Sequence, residues 1–239
     1  MTDLRTPRGA ATSDRGTGTR RGQPWQAGFA REARAAPELM SFAVTAAPLL
    51  ALSPRGDGHT VIVLPGLGGD DASTAPLRWF LGRLGHRSIG WGLGRNVGFG
   101  RRVVSGLDDL LAEVSSSDAR PVSLVGWSLG GVHALDAARR HPGGVRAVVT
   151  LGSPLAGRRA PAVVPTTSVY SKTDAIVPWR ASLLSERWPH ENVEVHGSHL
   201  GLGHNPSVAI IVADRLAQRP GAWQPFRPPR WARRFLPAA

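Results

Sequence analysis

Between residues 60 and 217 the chain alternates short apolar runs with stretches in which apolar residues return every three or four positions. The runs are Thr60–Leu64, Arg87–Trp91, Val122–Val125, Ala147–Leu151, Thr167–Ser171 and Asn192–His196. Each is four or five residues long and most are rich in β-branched side chains, which is too short for a helix and predicts a buried strand. The intervening stretches carry helix punctuation. Pro76 suits a first helical turn and Gly85 ends the same helix. A second helix is expected from about Val103 to Ser115. Val132, Leu135 and Ala138 mark a third, beginning at Leu129 and stopped by His141-Pro142. Asn205-Pro206 reads as an N-cap and first helical residue of the last one. Six strands alternating with helices predict an α/β protein with a doubly wound, mostly parallel sheet, whose functional residues gather at the C-terminal ends of the strands.

One further apolar run, Leu39–Leu52, precedes the first strand and is interrupted by Ser41, Thr45 and Pro48. It is shorter than the roughly 20 apolar residues a bilayer span needs, so a short helix packed on the domain is expected. Arg20-Arg21 suggests a twin-arginine leader only superficially, since the apolar run lies far downstream and no cleavage site is apparent. A cytoplasmic location follows as the expectation, with Met40 an alternative start.

Composition sharpens the boundaries. The 239 residues contain no cysteine, which excludes disulfides, thiolate chemistry and cysteine-ligated zinc. The formal charge of +12 is uneven: residues 1–37 carry +4 and residues 219–239 carry +5, leaving +3 on the centre. Residues 1–37 have no apolar periodicity and read as a disordered basic tail. Residues 38–218 read as the globular domain, and residues 219–239 as a tail rich in Arg, Pro and Trp. Trp223, Phe226, Trp231, Phe235 and Leu236 alternate there with Arg227, Arg230, Arg233 and Arg234. Such a tail either makes a weak contact with an anionic membrane surface or folds its aromatic side chains back onto the domain; the second is favoured. The core has no nucleic-acid recognition motif, so specific nucleic-acid binding is not expected.

Chemistry concentrates at Gly126-Trp127-Ser128-Leu129-Gly130, a turn between a strand and a helix. Such a turn strains its serine and lifts Oγ above the sheet, and the new helix aims free N–H groups at negative charge forming beside it. A base is sought downstream. His196 sits on the last strand, His199 on the loop beyond it among small residues, and His204 at the start of the last helix. His199 is best placed to reach inward, with His204 second. No histidines show metal-ligand spacing such as His-Glu-x-x-His, so neither a metal nor a cofactor is expected.

The Gly-Trp-Ser-Leu-Gly turn, flanked by strand and helix, resembles the nucleophile elbow of the α/β-hydrolase superfamily, in its small bacterial lipase and esterase branch. Pro65-Gly66-Leu67-Gly68-Gly69 is similar to that superfamily's oxyanion loop, with Pro65 where a histidine is usual. Lys172-Thr173-Asp174 after a strand resembles its acid loop, although a turn-capping Asp would look the same. Gly197-Ser198-His199 followed by Asn205-Pro206 matches its histidine loop. The resemblance implies a Ser128–Asp174–His199 triad in the superfamily's chain order, with the Leu67 and Leu129 backbone N–H groups as oxyanion donors. It also implies a sheet reduced at its N-terminal side, since eight strands are usual, and a minimal lid within Gly157–Pro165. The implied activity is hydrolysis of a carboxylic ester, a lipid or apolar acyl ester, through an acyl-enzyme. Thioesters and lactones would use the same machinery, and a non-catalytic binding member of the fold is the rival class. Leu67, Leu129, Leu155, Ile176, Leu200 and Leu202 flank the expected site and favour an apolar acyl chain; no other substrate-binding residue is assigned.

Overall fold

The computed structural model describes residues 32–185 and 189–237; most of the expected N-terminal tail, residues 1–31, lies outside them. Six strands form one sheet in the order β2-β1-β3-β4-β5-β6, every neighbouring pair parallel. They are β1 (Thr60–Leu64), β2 (Arg87–Gly90), β3 (Val122–Trp127), β4 (Val145–Leu151), β5 (Thr166–Ser171) and β6 (His190–Val195). Helix α1 (Ala35–Leu52) precedes the sheet, and α2 (Ala75–Arg83), α3 (Arg101–Ser117), α4 (Leu129–Arg140) and α5 (Pro206–Ala217) follow in turn.

Because successive side chains of a strand face opposite ways, the sheet feeds two cores. Val61, Val63, Val125, Val149 and Val169 pack with Phe42 of α1, Leu77, Phe80 and Leu81 of α2, and Val208 to Ala213 of α5. Ile62, Leu64, Leu124 and Val148 pack on the other face with Val103, Leu107, Leu111 and Val114 of α3 and Val132 and Leu135 of α4. A strand buried on both faces has no reason to alternate polar with apolar residues, which is why β1 reads as an unbroken apolar run. The helices do alternate, and the α3 residues recur every three or four positions because only one of its faces meets the sheet.

Several boundaries differ from expectation. Strand β2 stops one residue early because the Trp91 and Gly92 N–H groups turn away to donate to the Asp71 carboxylate, at 3.0 and 3.1 Å. Strand β6 ends at Val195 and leaves His196 exposed in the loop beyond. At the other end of the chain, the expected tail of residues 1–37 overlaps the folded domain. Glu32 is buried, and α1 starts at Ala35, for reasons given with the site below.

Helix α1 packs on the domain as expected, through Phe42, Ala46 and Leu49 on one stripe and an edge contact between the Phe42 and Phe80 rings at 5.8 Å. It is longer than the apolar run suggested. Its 18 residues, with a mean hydropathy of 1.5, are long and apolar enough to cross a membrane by length and composition, and Leu39, Met40, Val44 and Leu52 are exposed on its outer side.

The C-terminal segment folds back. Phe226, Trp231 and Leu236 pack against the α1–α5 core, and Ala232 is fully buried. The Phe226 N–H donates to Glu191 Oε2 at 2.7 Å, and Ser207 Oγ donates to the Phe235 carbonyl at 2.8 Å. Arg227, Arg230 and Arg233 remain exposed. Burying the aromatic surface stabilises this arrangement, and an arginine left in water loses none of its hydration.

Candidate active site

Ser128 stands between β3 and α4 with φ 52° and ψ −121°, the one non-glycine positive φ among the described residues. Such a conformation costs about 1–3 kcal/mol and persists only where the surroundings impose it. Two glycines do so. A Cβ on Gly126 would overlap the Gly130 carbonyl, and one on Gly130 would overlap the Leu64 carbonyl. The strand, the helix and the end of β1 can therefore meet only if both positions lack a side chain. Ser128 is partly exposed, and its own N–H is held by the Leu151 carbonyl at 2.8 Å.

His199 lies past the end of β6, with Nε2 3.0 Å from Ser128 Oγ and Nδ1 2.7 Å from Asp174 Oδ2. The Asp174 and His199 side chains are 2% and 4% exposed, so this pair sits in a low-dielectric setting. The other Asp174 oxygen accepts the Ile176 and Val177 N–H groups, each at 2.8 Å. Both carboxylate oxygens are thereby used, which fixes the orientation of the acid. Trp127 Nε1 donates to the His199 carbonyl at 3.0 Å and ties the elbow to the histidine loop. His204 turns away instead, its Nε2 2.9 Å from the Ala35 carbonyl.

The loop after β1 abuts the serine. A Cβ on Gly66 would lie 3.2 Å from Ser128 Cβ. Among the described loop and turn residues, neither the Leu67 nor the Leu129 N–H donates to a backbone carbonyl. Asn96 clamps this loop from the other side. It is fully buried, its Nδ2 donates to the Pro65 carbonyl at 2.8 Å, and its backbone exchanges bonds with Gly68 and Gly69 at 2.7 and 2.8 Å. The neighbouring Arg95 is exposed.

Neither a protein-family model nor a curated protein sequence matches the chain. Solved structures do. The crystal structure of Aspergillus fumigatus lipase B aligns over 72% of this chain with a TM-score of 0.57 and 16% identity. The chain has the α/β-hydrolase fold. It spans 56% of that lipase, and its sheet is the reduced version expected from the sequence.

On this fold the three side chains singled out from the sequence meet at the C-terminal ends of β3, β5 and β6, and the loop after β1 joins them. The six leucines and isoleucines expected around the site divide. Leu155 and Leu202 belong to the two cores, at 1% and 0% exposure, and Leu129 is partly buried against one of them, whereas Leu67, Ile176 and Leu200 are exposed at the rim of the candidate site. Val97 and Phe99, on the loop after β2, are also exposed. The segment between β4 and β5, where a small lid was expected, contains neither helix nor strand.

Two features lay beyond sequence reasoning. The first is the set of residues that hold the loops: Asn96 just described, and the carboxylates of Glu32 and Glu38. The second is a cluster at the opposite end of the strands, where Asp57, His59 and His86 place one potential metal-ligand atom each within 4.8 Å of the others. Spacing along the chain could not reveal it, because His86 arrives from the turn just before β2. Asp57 already bonds Arg146 at 2.6 Å and His59 at 2.5 Å. Burial works to raise the Asp57 carboxyl, but the bonds from Arg146 and His59 outweigh it and hold the group below the usual carboxylate range. Burial, reinforced by the neighbouring His59, pushes His86 down to about 4.

Proposed function

We propose that the protein is a serine hydrolase that cleaves carboxylic esters with apolar acyl groups through a covalent acyl-enzyme. The observation that carries this reading is the contact series Asp174 Oδ2–His199 Nδ1 and His199 Nε2–Ser128 Oγ, at 2.7 and 3.0 Å, ending on a strained and accessible serine.

Each part has a chemical task. A serine hydroxyl is a weak nucleophile until a base takes its proton. His199 Nε2 is within reach to do so as Oγ attacks the ester carbonyl. Asp174, fixed by two backbone N–H groups, holds the Nδ1–H tautomer and stabilises the imidazolium that forms. The tetrahedral oxyanion then lies between the N–H groups of Leu67 and Leu129, where loss of one donor typically costs about 3 kcal/mol. His199 returns its proton to the leaving alcohol, and water repeats the sequence on the acyl-enzyme. The exposed Leu67, Ile176 and Leu200 at the rim offer an apolar acyl chain a dry contact. The lipase named above shares the fold and is consistent with an ester or lipid substrate. Hydrolysis of a short-chain nitrophenyl ester by the full chain, lost in Ser128→Ala, is the expected result. An intact rate in that variant would refute the proposal.

A further inference from the structure

We propose that the segment Glu32–Glu38 is a positioning strap that holds the acid loop and the histidine loop in register, with Glu32 as its key residue. The proposal rests on the hydrolase reading of the same site and extends it to residues that touch neither substrate nor the reacting atoms.

The contacts converge on two short loops from a stretch of seven residues. Glu32 Oε1 accepts the N–H of Ala175 at 3.2 Å and that of His199 at 3.1 Å, and Oε2 accepts the N–H of Leu200 at 2.8 Å. Ala175 follows the acid directly, so one carboxylate joins the backbone beside Asp174 to the backbone of the base itself. Arg34 donates to the carbonyl of Thr173, the residue before Asp174, at 3.2 Å. The Ala35 carbonyl meets His204 Nε2. Glu38 Oε1 accepts the Ser198 N–H at 2.8 Å, and its Oε2 accepts the Ser198 hydroxyl at 3.1 Å. Ser198 Oγ in turn accepts the Gly201 N–H at 3.1 Å.

A buried carboxylate with three N–H donors is a costly thing to build for no purpose, because its desolvation must be met by good bonds. Here the bonds are charge-assisted and about twice as strong as neutral ones. They settle the backbone of His199, and hence the direction in which its ring leaves the chain. Without Glu32 the two loops still meet through Thr173 Oγ1 on the Gly197 carbonyl at 3.0 Å, and Trp127 at the end of β3 still holds the His199 carbonyl. Its loss therefore loosens the triad rather than dispersing it. Misplacement of a catalytic group by about 1 Å costs on the order of a hundredfold in rate.

The test compares the full chain with Glu32→Gln and Glu32→Ala. A Gln side chain keeps an oxygen for Ala175 and His199 but turns its amide toward the Leu200 N–H, so it restores part of the function. On a short-chain nitrophenyl ester, kcat is expected to fall about tenfold in the Gln variant and about a hundredfold in the Ala variant, with KM within about twofold. The downfield proton resonance of the His199–Asp174 hydrogen bond is expected to be sharp in the parent chain, weaker in Gln and broadened in Ala. Rates are read well below each variant's melting temperature, and the Gln variant carries the test if Ala does not fold. An unchanged kcat and an unchanged resonance in a folded variant would overturn the strap. A parent chain that turns over no ester would instead strike at the proposed reaction, and the resonance would still decide the strap.

Discussion

Two Asp–His–Ser series are present among the described residues, one at each end of the sheet. At the C-terminal end, Asp174, His199 and Ser128 are linked at 2.7 and 3.0 Å. At the N-terminal end, Asp57, His59 and Ser123 are linked at 2.5 and 2.9 Å through the same ring nitrogens. Distances do not distinguish them; their surroundings do. Ser123 is fully buried near the start of β3, beside the register shift between Val122 and Ser123, five residues before the strained and partly exposed Ser128. Ser128 is the N-cap of α4, whereas the lower series is backed by Arg146 on Asp57. A triad of side chains is therefore not yet an active site. On the proposed function, access and backbone strain separate a nucleophile from a buried tie.

The largest expected effect comes from treating the two serines alike. Ser128→Ala should cost at least about a thousandfold in kcat with little change in melting temperature. Ser123→Ala should leave kcat alone and lower stability by about 1–3 kcal/mol, because the His59 Nε2 loses its partner in a buried setting. Comparable rate losses in both would erase the distinction.

The histidines sharpen it. His199→Ala should cost about a thousandfold or more in kcat, measured on the same ester. His204→Ala, which loses only the bond to the Ala35 carbonyl, should cost roughly tenfold or less. A smaller contrast is expected between two adjacent residues of the loop after β2. Asn96→Ala frees the loop that carries Leu67 and should lower kcat by about ten- to a hundredfold, given the worth of one oxyanion donor. Arg95→Ala, at an exposed position, should be neutral.

The lower end also predicts a pH dependence of folding. His86 titrates near 4 in the fold, against an ordinary value of 6.5. The fold keeps it neutral while the unfolded chain takes up a proton below 6.5, so the stability is full above that pH and is lost as pH falls toward 4. A gap of about 2.5 pH units at roughly 1.36 kcal/mol each amounts to roughly 3 kcal/mol at most. Melting temperature should fall between pH 6.5 and 4, and His86→Phe should flatten that slope.

The parts legible in the sequence are those whose cause is local. A turn between a strand and a helix leaves glycines at fixed offsets, so the elbow at Ser128 could be read directly. Buried strands leave unbroken apolar runs, and the sheet follows from them. His199 stood out from His196 and His204 by its place relative to a strand end and a helix start. Glu32, Glu38 and Asn96 left no such mark. Each acts on a loop between 27 and 168 residues away in the chain, and a lone Glu in an Arg-rich stretch looks like a solvated charge. The same distance effect hid the meeting of His86 with Asp57 and His59.

On the proposed function Ser128, alone among the serines, is the activated nucleophile. The direct measurement is intact-mass and peptide-mapping spectrometry of the full chain after reaction with a fluorophosphonate. A single phosphonyl adduct is expected on Ser128, absent in Ser128→Ala and greatly slowed in His199→Ala. An unlabelled parent chain, or equal labelling of the Ser128→Ala variant, would contradict it.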